Sequence, residues 1–246
     1  MTVTTITTAT DIYDAVPVTT EARNGSGNDS KGDQRPILFL DIDNCLYSPD
    51  YNIHIMMSES HDWRRQPRHT EELCLHYYVE YGLAIRGLIK FHHKNVDLSL
   101  PLEDILKDDP VLRDMLERID ARIWAFTNAN LPHAQRVLKC LGISHLIEGI
   151  TYCNYSEVNF PCKPGKDAYL RALEHSGAKP GQKCYLVDDS AKNIIVAREM
   201  GWTGIHCTPT HSDVGNHQIG YIHDLLKVVP ELEKKRGEEE MEVRPE

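Results

Sequence analysis

Short apolar runs recur along the chain, each closing on or near a polar residue: ILFLD at 37–41, RIWAFT at 122–127, GITYC at 149–153, KCYLVD at 183–188 and TGIHC at 203–207. Between them the apolar period changes from two to near 3.6. In LPHAQRVLKCLG, Ala134, Val137, Leu138 and Leu141 share one helical face, and Gly142 is placed as a stop. PGKDAYLRALEHSG opens with Pro164 and closes with Gly177, and SAKNIIVAREMG ends at Gly201. Nearly all-apolar strands alternating with helices predict an α/β fold, a Rossmann-like parallel sheet with helices on both faces and right-handed crossovers.

One stretch interrupts the alternation. Residues 48 to about 100 contain no convincing strand, and TEELCLHYYVEYGLAIRGLIKFHH within them reads as helix. Thr70 is placed as its N-cap, Glu71 and Glu72 suit its first turn, and Gly82 and Gly87 weaken or bend it. An insertion directly after the first strand lies over the C-terminal edge of the sheet, where open α/β folds bind ligands. The expected organisation is a catalytic core from 36–48 and 100–232, with a small helical cap at 49–99. A Thr-rich, then polar, disordered segment (1–35) precedes it and a charged disordered tail (233–246) follows.

Composition narrows the partners. A formal charge of −10 over 246 residues provides neither the basic footprint of a nucleic-acid binder nor that of an anionic-membrane protein. No apolar run is long enough to span a bilayer. Seven scattered cysteines, none spaced CxxC, point to reduced thiols and a cytoplasmic setting, with the nucleus left open by Lys234, Lys235 and Arg236. The expectation is a monomer or homodimer, and if its substrate is anionic, positive charge must be supplied locally by a few side chains, helix N-termini or a metal.

The polar residues that close the strands carry the chemistry. In chain order they are Asp41 and Asp43, Thr127 and Asn128, Lys163 ahead of Pro164, and Asp188 and Asp189. Any one of them alone has a plain reading: the aspartates as caps, Thr127 as a turn residue, Lys163 as a surface lysine ahead of a helix. Together they bring four carboxylates, a hydroxyl and an ammonium to one sheet edge. Phosphoryl transfer through an aspartyl phosphate needs such a set. A carboxylate nucleophile and a phosphate repel, and Mg²⁺ on hard oxygen ligands offsets that repulsion. A hydroxyl and an ammonium then stabilise the phosphoryl oxygens. A second acid protonates the leaving alkoxide and later deprotonates water.

The order DxD, hydrophobic-T-N, K-P and DDxxxN resembles the haloacid dehalogenase superfamily of Mg²⁺-dependent phosphatases, over residues 36 to about 210. FLDIDNCLY, EYGLAIRGL, FTNA, TYCNYS and VDDSAKN are more narrowly similar to its fungal and plant pyrimidine 5′-nucleotidase branch. The resemblance implies Asp41 as nucleophile, Asp43 as general acid/base, and Thr127, the Asn128 backbone N–H and Lys163 as phosphoryl holders. It implies Mg²⁺ held by Asp41, the Asp43 carbonyl, Asp188 and Asp189, with Asn193 orienting the loop. In the cap it implies Arg86 as a substrate contact, with Tyr81, Lys90 and His92 behind it.

Asp43 favours phosphate esters over haloacids, since dehalogenases have no alkoxide to protonate. The resemblance implies a small phosphorylated metabolite as partner, a pyrimidine nucleoside 5′-monophosphate, with UMP and CMP hydrolysed to nucleoside plus phosphate. The alternatives are another small ester, such as lysophosphatidate or a sugar phosphate, and a catalytically silent scaffold that binds a partner. A receiver-type signalling domain fits poorly, because there the acidic pair comes first.

Overall fold

The computed structural model describes residues 33–53, 56, 76–77, 100–157 and 159–235. Most of the expected cap, the first 32 residues and the tail beyond residue 235 lie outside the described residues, as do Arg86, Tyr81, Lys90 and His92.

The apolar runs become the strands β1 (Ile37–Leu40), β2 (Arg122–Phe126), β3 (Gly149–Thr151), β4 (Cys184–Asp188) and β5 (Thr203–Cys207). A sixth, β6 (His217–Ile219), completes a sheet ordered β3-β2-β1-β4-β5-β6, with every pairing parallel. Strand alternation sends Leu38 and Leu40 into one core and Ile37 and Phe39 into the other. β1 is therefore buried on both faces, as its unbroken ILFL run requires.

The first core is covered by α1 (Leu102–Ile105), α2 (Pro110–Glu117), α3 (Leu131–Cys140) and, near the C-terminus, α6 (Leu225–Val228). The second is covered by α4 (Lys166–Ser176) and α5 (Ala191–Glu199). Helices α3, α4 and α5 stop where the sequence predicts. Gly177 caps α4 in the left-handed region at φ 63°. Gly142, at φ 72° after α3, also admits a close approach: a Cβ there would lie 1.9 Å from Asp108 Oδ1.

Two elements go beyond the sequence reading. In α2, the Asp109 carboxylate accepts from Leu112 N at 2.9 Å, Pro110 opens the helix, and Leu112, Met115 and Leu116 are buried. Strand β6 has only three residues, and its Gln218 side chain is spent on Ser212 N and the Thr208 and Thr210 carbonyls. The core also extends past its expected ends. Gln182 Nε2 donates to Arg35 O, and Lys234 N donates to Arg118 O while Arg118 pairs with Glu233, so residues 233 and 234 pack on the core instead of starting a free tail. Among the described residues no helix is long and apolar enough to cross a membrane.

Phe39 locks the strand that leads to Asp41. Its ring stacks on Trp202 (centroids 4.5 Å apart, planes at 15°) and meets Phe126 edge-on at 6.1 Å. Phe39→Ala is expected to cost about 3–5 kcal/mol in urea denaturation, the range for emptying a buried phenyl site.

Candidate active site

β1, β2 and β4 are neighbours, so their C-terminal ends bring Asp41, Thr127 and Asp188 to one edge. The chain runs from β1 outward through β2 and β3 on one side, then through β4, β5 and β6 on the other. That reversal is the switch point at which α/β sheets form ligand crevices. Asp41 continues the β1 ladder, donating its N–H to Val187 O at 2.9 Å, and Thr127 does the same toward Thr151 O at 3.0 Å.

Lys163 lies beyond β3, in the loop before α4, and its ammonium reaches back under the site. It is 1% exposed and donates to Asp41 Oδ1 (2.8 Å), Asp188 Oδ2 (2.7 Å) and Phe126 O (2.6 Å). These three bonds use all the donors of an ammonium. Burial opposes its charge, but Asp188 and Asp41 outweigh burial and hold it firmly protonated.

The loop carrying Lys163 is set by Asn128. The Asn128 side chain accepts from Lys163 N at 2.7 Å and donates to Lys163 O at 2.9 Å, so one carboxamide grips the lysine backbone from both sides. Tyr155 OH in turn donates to Asn128 O at 2.8 Å. The sequence reading assigned Asn128 a backbone N–H toward phosphate; its side chain has this separate structural task. Thr127 Oγ1 accepts from Ala129 N at 3.0 Å, which fixes the hydroxyl at the strand end.

Asp188 is fully buried and heavily hydrogen-bonded. Beyond Lys163, it accepts from Ser190 N (2.8 Å) and from Asn193 Nδ2, which spans both its oxygens at 2.9 and 3.0 Å. Asn193 thus ties the start of α5 to the strand end. Asp189 is held through its backbone: His206 Nε2 donates to Asp189 O at 2.9 Å, and Ser212 Oγ donates to His206 Nδ1 at 2.5 Å.

Carboxylate oxygens of Asp41, Asp188 and Asp189 all lie within 4.8 Å of one another. Three carboxylates and one ammonium leave the cluster short of positive charge. Burial and the neighbouring Asp188 and Asp189 push the Asp41 carboxyl well up, against Lys163. Burial and Asp188 push Asp189 up to about 6. A compact set of hard oxygen donors that resists full ionisation fits a small divalent cation, which would supply the missing charge.

Asp43 sits in a different environment. Its side chain is 27% exposed, and its Oδ1 accepts from Tyr47 OH at 2.6 Å and from His133 Nε2 at 2.7 Å. Burial pushes this carboxyl up, but His133, Tyr47 and Lys163 together hold it below its ordinary value. Neither His133 nor Tyr47 was singled out from sequence. The one available signal for His133 was its position on the first turn of α3, three residues after the Asn130 cap. A cavity of about 360 Å³ opens beside the site, with Asn44, Cys45, Tyr47, Asp189, Cys207 and Tyr221 among its walls.

A family model for haloacid dehalogenase-like hydrolases matches residues 5–201, well over half of the chain. The chain belongs to the haloacid dehalogenase-like hydrolases. Among curated proteins it is 35% identical over 191 residues to Phosphate metabolism protein 8 of Saccharomyces cerevisiae, a match covering 68% of this chain and 60% of that protein. The match therefore spans little more than half the length of that relative. Among solved structures, an HAD phosphatase from Thermococcus onnurineus superposes with a TM-score of 0.56 at 18% identity, covering 82% of this chain and all (100%) of that one. CbbY from Rhodobacter sphaeroides, solved with phosphate, gives 0.52 at 16% identity over 78% and 96% of the two chains. At these identities the likeness is one of fold.

The raised Asp189 carboxyl sets a pH dependence. Between the ordinary aspartate value near ~3.9 and the folded value of about 6, the folded protein holds a proton that the unfolded chain has released. This group's contribution to stability therefore falls as pH rises through that window. In EDTA, the thermal midpoint is expected to decline between about pH 4 and pH 6, and Asp189→Asn is expected to flatten that decline. At neutral pH, added Mg²⁺ should raise the midpoint of the wild type and raise that of Asp189→Asn far less, both read by scanning fluorimetry.

Proposed function

We propose that the protein is a Mg²⁺-dependent phosphomonoesterase working through a phosphoaspartate, with pyrimidine nucleoside 5′-monophosphates as substrates. The observation that carries the reading is the convergence of Asp41, Thr127, Lys163, Asp188 and Asp189 on one sheet edge, with Asp43 two residues beyond the nucleophile. Membership of the hydrolase family agrees with it, and so does the printed name of the yeast relative, which refers to phosphate metabolism. The FLDIDNCLY, FTNA and VDDSAKN resemblance to pyrimidine 5′-nucleotidases supports the substrate class.

In this reading a carboxylate oxygen of Asp41 attacks phosphorus, and the bond from phosphorus to the ester oxygen breaks. The leaving alkoxide takes the proton of Asp43 and departs as the nucleoside. Asp43, now a carboxylate, removes a proton from water as that water attacks the phosphoaspartate, which releases phosphate and restores Asp41. Lys163 holds Asp41 in place and balances charge on the phosphoryl oxygens, and Thr127 donates to one of them. Mg²⁺, when bound by Asp41, Asp188, Asp189 and the Asp43 carbonyl, would offset the repulsion between the carboxylates and the incoming phosphate. The resemblance assigns 49–99 to a cap, with Arg86 as a substrate contact and Tyr81, Lys90 and His92 behind it.

Phosphate release across UMP, CMP, lysophosphatidate, sugar phosphates and p-nitrophenyl phosphate tests the proposal. UMP and CMP are expected to be turned over best, and EDTA is expected to abolish turnover. Asp43→Asn should lower kcat on nucleotides by about 10²–10⁴-fold, the range for loss of a positioned acid/base. Release that survives Asp41→Asn overturns the covalent mechanism. Nucleotides hydrolysed no better than p-nitrophenyl phosphate overturn the substrate class, and preference for a lipid or sugar ester assigns it elsewhere. Wild-type protein with Mg²⁺ that releases nothing is the scaffold result.

A further inference from the structure

Asp43 is held by two side chains that the proposed chemistry does not otherwise use. Tyr47 lies four residues downstream in the same turn, is almost fully buried, and donates to Asp43 Oδ1 at 2.6 Å. His133 comes from a separate element, 90 residues away on the first turn of α3, and its side chain is 0% exposed. Its Nε2 donates to the same Oδ1 at 2.7 Å. The backbone of His133 is itself anchored, because His133 N donates to the Asn130 cap at 3.0 Å and Asn130 follows closely on the Thr127–Asn128 loop.

A carboxylate on a short side chain has little intrinsic preference about its terminal torsion, which is broad and roughly two-fold. An acid that must meet a leaving oxygen in one half of a reaction and a water in the other cannot rely on that torsion. Two donors arriving from different elements at one oxygen remove the freedom. They also divide the carboxylate's labour, because Oδ1 carries both hydrogen bonds and Oδ2 carries neither of them.

We infer that His133 and Tyr47 are the positioning residues of the acid/base. They fix Asp43 through Oδ1 so that Oδ2 gives the proton to the departing ester oxygen and later takes one from water. The inference rests on the phosphomonoesterase reading above and adds to it the groups that make Asp43 competent. His133 further couples the acid/base to the phosphoryl-binding loop, since the same Asn130–His133 turn follows Thr127 and Asn128. Neither residue touches substrate in this scheme; both act through Asp43.

The test is the rate of leaving-group release in the first turnover, measured with Mg²⁺ for wild type, Tyr47→Phe, His133→Ala and His133→Gln. Two esters are compared: UMP, whose alkoxide needs a proton to leave, and p-nitrophenyl phosphate, whose phenolate does not. Tyr47→Phe and His133→Ala are expected to slow release from UMP by about 10–10²-fold, the scale of a misplaced catalytic group. Release of p-nitrophenolate should slow by less than about threefold, and KM for UMP should change little. His133→Gln, which restores an N–H donor, should recover most of the loss on UMP. Tyr47→Phe removes one oxygen and keeps the ring, so it reports on positioning even if His133→Ala folds poorly.

Equal slowing on both esters, or no slowing on UMP in Tyr47→Phe and His133→Ala alike, overturns the inference while leaving the phosphatase reading in place. A wild type that releases neither leaving group overturns the phosphatase reading itself, and this inference with it.

Discussion

One ammonium joins the ends of three strands. Lys163 Nζ bonds the residue that follows β1, the last carbonyl of β2 and the last residue of β4, although the lysine itself arrives from the loop after β3. Removing one partner of such a buried arrangement leaves charge uncompensated in the interior, which typically costs 3–5 kcal/mol. Asp41 is thus fixed by the same contact that ties these strand ends together. Asn128 secures the arrangement by gripping the lysine backbone, so the loop after β2 positions the residue that positions Asp41.

The two aspartates of the DxD pair sit in different surroundings. Asp41 shares a buried cluster with Asp188 and Asp189, where burial and like charge raise its carboxyl despite Lys163. Asp43 lies two residues on, partly exposed, and receives two donors on one oxygen, which holds its carboxyl below the usual value. One short loop thus holds two carboxyls in opposite environments, one dominated by burial and like charge and the other by hydrogen-bond donors. The cluster around Asp41 stays deficient in positive charge with a single lysine, and a divalent cation is what the donor set accommodates.

Much of this was readable from sequence, for physical reasons. Strands buried on both faces show as unbroken apolar runs, so ILFL and CYLVD marked their own positions. Residues at the C-terminal ends of such parallel strands share an edge, so the pattern alone groups Asp41, Thr127 and Asp188. Strand β6 was hidden because a three-residue edge strand reading HQI has no apolar period; its Gln218 side chain supplies the order instead. Helix α2 carries a legible Asp-Pro start at Asp109 and Pro110. His133 was not legible as a partner of Asp43. A buried histidine beside apolar positions looks like core, and nothing local specifies a carboxylate 90 residues away. The double grip of Asn128 on Lys163 was hidden for the same reason, since both groups lie in loops that only the fold brings together.

The central claim is that the Lys163 ammonium holds Asp41 and Asp188 in place against their own burial. Urea denaturation of Lys163→Met beside wild type, at neutral and at mildly acidic pH, tests it most directly. The account predicts a loss of about 3–5 kcal/mol at neutral pH, because two carboxylates are left buried without their cation. It predicts a smaller loss in acid, where Asp41 takes up a proton and the stranded charge is reduced. A variant as stable as wild type at neutral pH, within about 0.5 kcal/mol, contradicts the account, since changes that small are what surface substitutions produce.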